Sequence, residues 1–428
     1  MNKNLSVAVV ILVVFLVIPA ICFAGGQGET KTTVSMRYSW WGGDARNKAI
    51  VELIDLYMAK NPHVTIEAEY GGFAGYYEKM ITQLAGGTAP DILQVDYKWL
   101  SDLAAQEVEF ANVYDLQDTI DLSGFDPFIL ESYLTVNGRL QGLPTGLNGN
   151  TMMYNVNFFK DNGIPMDTEW TWRKIVEVGK KVHANNPELY MIRTCPQQFY
   201  EYWLINYVIQ RTGEQFIKED YTIGFSKQNI AEALGYILSC VENEAVEPFE
   251  VITLYTRKSG DNPKWLNGQL GMALSLASLV AGERISPVDV CALPQLPDAK
   301  DTAMAVTAVS MLSMNKDSKY LIEAAEFVNF WENDPEAAVV KGDVLGVPAP
   351  TGSRQAAVDA GKIADNVARA VQTAMDGMKM VKTLVTFNRE LADIGIEIVE
   401  KVGFKRVTPE QGAEELVARF EEKLPELR

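Results

Sequence analysis

Two adjacent tryptophans, Trp40 and Trp41, close an alternating run (Val34, Met36, Tyr38, Trp40) and stand directly before Gly42 and Gly43. A second group, Asp96, Tyr97, Lys98 and Trp99, follows the short apolar run Ile92 to Val95. These residue types suit a carbohydrate: rings lie against the C–H faces of a sugar, and a carboxylate accepts hydrogen bonds from its hydroxyls. Alternation with a period of two marks a strand, and in open α/β sheets ligands bind beyond the carboxyl ends of the strands. Two neighbouring tryptophans are a costly surface unless something covers them. Protein and a sugar ring are the two possible covers, and the expectation here is the sugar.

The elements that must carry these residues are readable in the chain. After Trp41, Asp44 is a plausible helix cap, and Ile50, Ile54, Tyr57 and Met58 give the following helix one apolar face. Asn61-Pro62 stops it, and Val64, Ile66, Ala68 and Tyr70 alternate again. Strand, helix, strand implies a parallel βαβ unit. The loop Gly71 to Tyr76 therefore brings Phe73 to the same edge as Trp41 and Asp96. A helix from about Tyr77 to Ala85 ends at Gly86-Gly87, where glycine enters the left-handed region at no steric cost.

The stretch Ala85-Gly86-Gly87-Thr88-Ala89-Pro90-Asp91-Ile92 resembles the signature of extracellular solute-binding proteins of sugar ABC transporters, the maltose-binding-protein-like family. Further matches follow the family's order: Tyr77-Glu78-Lys79, Gly142-Leu143-Pro144, Tyr154-Asn155, Gly163-Ile164-Pro165 with Trp170-Thr171-Trp172, and Asn267 to Ala273. The resemblance implies an α/β, two-lobed periplasmic-binding-protein fold of type II, with a cleft between lobes and a multi-strand hinge. It implies a signal peptide over 1–24, one lobe from 25–145 plus 300–332, and the other from 146–299 plus 333–428. Leu140 to Asn150 would be the first crossing, Val290 to Leu296 the second, and a third would lie near Asp334.

The same resemblance implies further ligand-binding positions. Asn148 and Asn150 alternate at the first crossing, and one should face the cleft, where an amide can both donate to and accept from a hydroxyl. Tyr200 best matches a ring that stacks on sugar near the start of a helix. Ser275 and Ser278 stand near a point where relatives often carry a tryptophan. Trp170 and Trp172 resemble a packing pair. Arg193 either pairs bidentately with a uronate carboxylate or is a solvated strand-end charge. The Trp40-Trp41-Gly42-Gly43 end, with Tyr97 and Trp99, is similar to members that handle plant-wall oligosaccharides, including oligogalacturonides, and Arg46, Lys98 and Arg193 could answer an acidic ligand.

Composition bounds the alternatives. The 428 residues suffice for two domains with a large core, and 47% are apolar. Net charge is −18, and removal of residues 1–24 takes one lysine and no acid, leaving −19. That excludes nucleic acid and anionic membrane as partners, which need basic patches. His63 and His183 have no metal-like neighbours, so neither a metal nor a cofactor is expected. Lys3 and the apolar run Leu5 to Ile18 read as a signal peptide, cut after Ala24; lipidation at Cys22 is the competing reading, disfavoured by the bulky Ile21. The mature protein is expected in the periplasm or exported to the cell surface. Three mature cysteines (Cys195, Cys240, Cys291) leave at least one outside any disulfide. The expected function is the substrate-binding component of an ABC importer, a monomer that delivers an oligosaccharide, uronic in one version, to membrane permease subunits. The rival is a secreted glycoside hydrolase or polysaccharide lyase, for which no local carboxylate signature is present.

Overall fold

The computed structural model describes residues 33–427 apart from 257, 281, 286, 381 and 382. The expected signal peptide, Cys22 included, lies outside the described residues. Two mixed sheets, each flanked by helices, organise the chain. The first takes the order β2-β1-β3-β12-β6 and the second β10-β7-β9-β8, with β11 also on β7. The first sheet draws on β1 (Val34–Trp41), β2 (Val64–Gly71) and β3 (Ile92–Val95). A small hairpin of β4 (Thr135–Val136) and β5 (Arg139–Leu140) precedes β6 (Leu143–Pro144). The second sheet draws on β7 (Leu147–Asn155), β8 (Tyr190–Ile192), β9 (Leu270–Leu276), β10 (Val288–Cys291) and β11 (Val306–Ala308). The chain then returns to the first through β12 (Met311–Met314).

The expected βαβ unit is present: β1 pairs in parallel with β2 and with β3. The alternating residues Val34, Met36, Tyr38 and Trp40 are all buried, while Ser35 is exposed and Arg37 half-buried. Gly43, rather than Asp44, is the cap of the helix Asp44–Lys60. Gly87 closes the region after the helix Tyr76–Ala85 with φ of +64°. Asp91, in the signature stretch, has a structural task. One carboxylate oxygen accepts from the Arg37 amide at 2.7 Å and the other from the Ser318 hydroxyl at 2.6 Å, tying β1 to the turn after β12.

The chain passes between the sheets at Thr145-Gly146 and at Val309-Ser310. These two passages lie side by side: the Thr145 amide donates to the Ser310 carbonyl at 2.8 Å and the Val309 amide to the Gly146 carbonyl at 2.9 Å. A third stretch joins them, since Leu147 and Val347 exchange backbone hydrogen bonds at 2.7 and 3.0 Å.

Two expected boundaries need correction. Val290 to Leu296 does not cross; β10 pairs with β7 inside the second sheet, and residues 303–308 remain there too. Nor does the chain cross near Asp334. That residue caps the helix Pro335–Lys341, which stays on the first lobe. Lys60 bonds Asp334 at 2.9 Å and Glu336 at 3.1 Å, and Thr351 donates to the Gly124 carbonyl at 3.0 Å. The transfer comes after the helix Thr351–Asp359. The next helix, Asp365–Gly377, lies on β7 and β10, with Asn366 donating to the Val288 carbonyl at 3.0 Å. A capping Asp-Pro pair reads the same in sequence whether the next helix changes lobe or stays.

Beneath the first sheet lies a buried ion pair. Glu332 and Lys341 are fully enclosed with Nζ and Oε2 3.9 Å apart, and the Lys341 ammonium donates to the Trp331 carbonyl. Among the described residues, neither Glu332 carboxylate oxygen has a hydrogen-bond partner, nor does the nearby Tyr38 hydroxyl. Burial pushes the Glu332 carboxyl up to about 7, against the opposing pull of Lys341, and pulls Lys341 down. A carboxyl that keeps its proton longer in the folded state contributes stability that is fully present below its unfolded pKa. That contribution is lost as pH rises through the folded value. Unfolding free energy from urea titrations should therefore fall between about pH 4.5 and about pH 7. The double variant Glu332→Gln/Lys341→Met should flatten that fall and equal or exceed the parent in stability at pH 7. Lys341→Met alone should cost about 3 kcal/mol, because it strands the carboxylate.

Candidate functional site

Trp40 and Trp41 point to opposite faces of β1, as neighbours on a strand must. Trp40 turns into the lobe. It is fully buried, its ring stacks on Tyr70 at 4.8 Å, and its Nε1 donates to Asn47 at 2.9 Å. Its cover is protein. Trp41 turns the other way and stays 9% exposed. Phe73, Tyr76 and Trp99 hold it in an aromatic cluster, with centroids at 5.5, 5.0 and 5.4 Å. The Tyr76 hydroxyl locks the cluster to the strand by donating to the Ser39 carbonyl at 2.9 Å.

A groove of about 600 Å³ opens at this strand end, walled by Trp41, Arg46 and Phe73 from the first lobe and by Val344. A second hollow of about 540 Å³ shares Arg46 and Val344 with it and runs on to Asn148, Ser278 and Val367. The shared residues make the two hollows one cleft that spans both sheets and passes over the crossing strands at Leu147, Val309 and Val347.

Arg46 occupies the junction. Its stem lies over Gly42, where a Cβ would meet Arg46 Cδ at 2.7 Å. Burial lowers its pKa, and it makes no ion pair among the described residues. A half-buried guanidinium without a partner is a set of donors waiting for an acceptor. Across the cleft, Asn148 and Ser278 bond reciprocally: the amide donates to the hydroxyl at 3.0 Å and the Ser278 backbone donates back at 3.1 Å. Asp44 and Asp343 add carboxylates to the walls.

Of the positions singled out from sequence, Trp41, Arg46, Phe73, Asn148 and Ser278 line this cleft. The others lie elsewhere. Asp96 accepts from the Lys98 amide at 3.0 Å, capping a short turn, and Tyr97 stands edge-on to Tyr133 at 5.7 Å. Asn150 accepts from the Ala305 amide at 2.7 Å and donates to the Ala303 carbonyl at 3.0 Å, binding β7 to the segment before β11. Ser275 is buried in β9, opposite Thr151. Tyr200 is enclosed, its ring filling the space above Gly395.

Arg193 is not a solvated charge: it is 3% exposed and bonds Glu283 at 2.9 Å. Its guanidinium lies 4.3 Å from the Trp265 ring, and Trp265 Nε1 donates to the other Glu283 oxygen at 2.8 Å. Burial lowers the Arg193 pKa and Glu283 opposes that. Glu283 directly follows Gly282, so the triangle holds the chain beside the cleft wall to which Gly282 and Ser278 belong. Asp343 and Val344 escaped the sequence reading.

A family model described as bacterial extracellular solute-binding protein matches residues 42–338. The chain belongs to that family. It is thus an exported binding protein rather than an enzyme. A binding protein of Brucella abortus is 23% identical over 304 residues, covering 70% of this chain and 71% of the relative. An extracellular solute-binding protein of family 1 from Alicyclobacillus acidocaldarius is 22% identical, with a TM-score of 0.82 over 92% of this chain and all of the other. A periplasmic oligogalacturonide-binding protein from Yersinia enterocolitica, in complex with saturated digalacturonic acid, is 23% identical. It gives a TM-score of 0.68 over 92% of this chain and 99% of the other. These likenesses establish the two-lobed α/β fold of type II solute-binding proteins.

The two asparagines on one strand should separate cleanly under mutation. Asn150→Ala strands two buried backbone groups and should lower unfolding free energy by about 1–3 kcal/mol. Asn148→Ala should stay within about 0.5 kcal/mol of the parent. Paired urea titrations check both.

Proposed function

We propose that this protein is the sugar-binding component of an ABC importer and that it takes a neutral oligosaccharide in the cleft. The observation that carries the reading is the cleft's inventory. An aromatic wall from the first lobe faces an amide and a hydroxyl from the second, with the uncommitted Arg46 between them. Rings supply apolar area, and the few polar groups fix orientation. A ligand that touches Trp41 and Asn148 together binds a closed form better than an open one and shifts the population toward it. The crossings at Gly146 and Val309 are where the dihedral change would fall. Export by the 1–24 signal peptide, delivery to a membrane permease and a monomeric state complete the proposal.

The charge of the walls favours a neutral ligand over a uronic one. Arg193 is already committed to Glu283, which leaves Arg46 against Asp44 and Asp343. A polyuronate entering between those carboxylates would meet like charge.

Calorimetric titration of the mature protein against neutral and uronic oligosaccharides tests this. Neutral chains should bind with quenching of tryptophan emission, and no shortened product should appear. Trp41→Ala should weaken binding at least tenfold, about 1.4 kcal/mol, and Arg46→Ala should do the same. Binding of oligogalacturonides with no response to neutral sugars would overturn the neutral assignment.

A further inference from the structure

The aromatic cluster has a second open side. Beyond Phe73, away from Arg46, lies a groove of about 390 Å³ walled by Phe73, Tyr77 and Trp99, with Glu78 and Asp102 on its sides. Phe73 belongs to both this groove and the cleft, so the two adjoin across one ring. That ring is 55% exposed, lies near-parallel to Trp99 at 5.8 Å, and is carried on a loop with Gly71, Gly72 and Gly75 around it.

The floor is fixed rather than loose. Tyr77 sits edge-on to Trp99 at 5.0 Å, and its hydroxyl accepts from Gln106 at 3.1 Å. The carboxylates are free. Glu78 and Asp102 are both exposed, and neither pairs with a cation among the described residues. Aromatic faces below and uncommitted acceptors at the sides match a sugar ring lying flat, with its hydroxyls turned outward to donate. Two unpaired carboxylates would repel a uronate, so the occupant is neutral.

We propose that the groove beyond Phe73 is an additional subsite, which holds a neutral sugar unit at one end of an oligosaccharide whose other units lie in the cleft. The protein would then discriminate by chain length: a short ligand fills the cleft alone, and a longer one passes over Phe73 and gains Trp99, Glu78 and Asp102. This rests on the sugar-binding reading above, and the test separates the two.

The experiment is calorimetry with malto-, cello- and xylo-oligosaccharide series from disaccharide to hexasaccharide. The parent is compared with the double variant Glu78→Ala/Asp102→Ala, whose altered side chains are exposed and whose fold is checked by its melting curve. In the series that binds, parent affinity should rise about tenfold at one step of chain length. The double variant should keep the short-chain affinity within about twofold and lose the step. A parent affinity that does not change with length, or a step that survives in the variant, overturns the subsite while short-chain binding leaves the sugar-binding reading intact. Failure of every chain to bind the parent overturns both.

Discussion

At Gly146 three stretches of backbone meet. A Cβ there would lie 2.8 Å from Cα of Gly346, and a Cβ on Gly346 would lie 2.7 Å from a methyl of Val309. No side chain fits at either glycine, so the crossing strands and the loop that ends in Val347 press directly on one another. This contact brings the carboxyl end of β1 and the start of β7 to opposite sides of a single cleft. Without it the molecule would be two α/β lobes with half a site each. The passages are short, extended and joined mostly by backbone bonds, so rotation about them need not disturb either core.

The cleft walls are held from behind by groups that do not line the cleft. The Arg193–Glu283–Trp265 triangle fixes the chain at Glu283, next to Gly282 in the wall that also holds Ser278. On the other lobe, Lys341 is buried at the end of its helix, immediately before Gly342, Asp343 and Val344. Each wall is therefore backed by a desolvated charge. Such pairs add little net stability, and removing one partner is expensive. Each pair fixes a point of chain that adjoins a cleft wall.

Much of this was legible from local pattern. The alternation in β1 and β2 and the glycine exit after Ala85 are set by nearest neighbours and read correctly. Trp172 packs as expected, on Trp203 and Tyr207, with its Nε1 bonded to Gln210 at 2.8 Å. Which of Trp40 and Trp41 meets the cleft was not legible, because a strand offers both faces and only the helices laid on it decide. The same holds for Arg193, whose partner lies 90 positions on. Tyr200 is enclosed because Gly395, in the helix Arg389–Gly403, leaves it room. Asn148 and Asn150 share a strand face, yet one is captured by backbone that arrives some 150 residues later. Chemistry set by distant chain is invisible to a local reading, and those are the positions that moved.

The central claim is that a neutral oligosaccharide bridges both lobes in the cleft over the crossing strands. A crystal structure of the mature protein with a bound neutral oligosaccharide tests it most directly. The account predicts one ligand in simultaneous contact with Trp41, Arg46 and Asn148, with Arg193 still paired to Glu283. A ligand held by one lobe alone, or one that takes Arg193 away from Glu283, would contradict it.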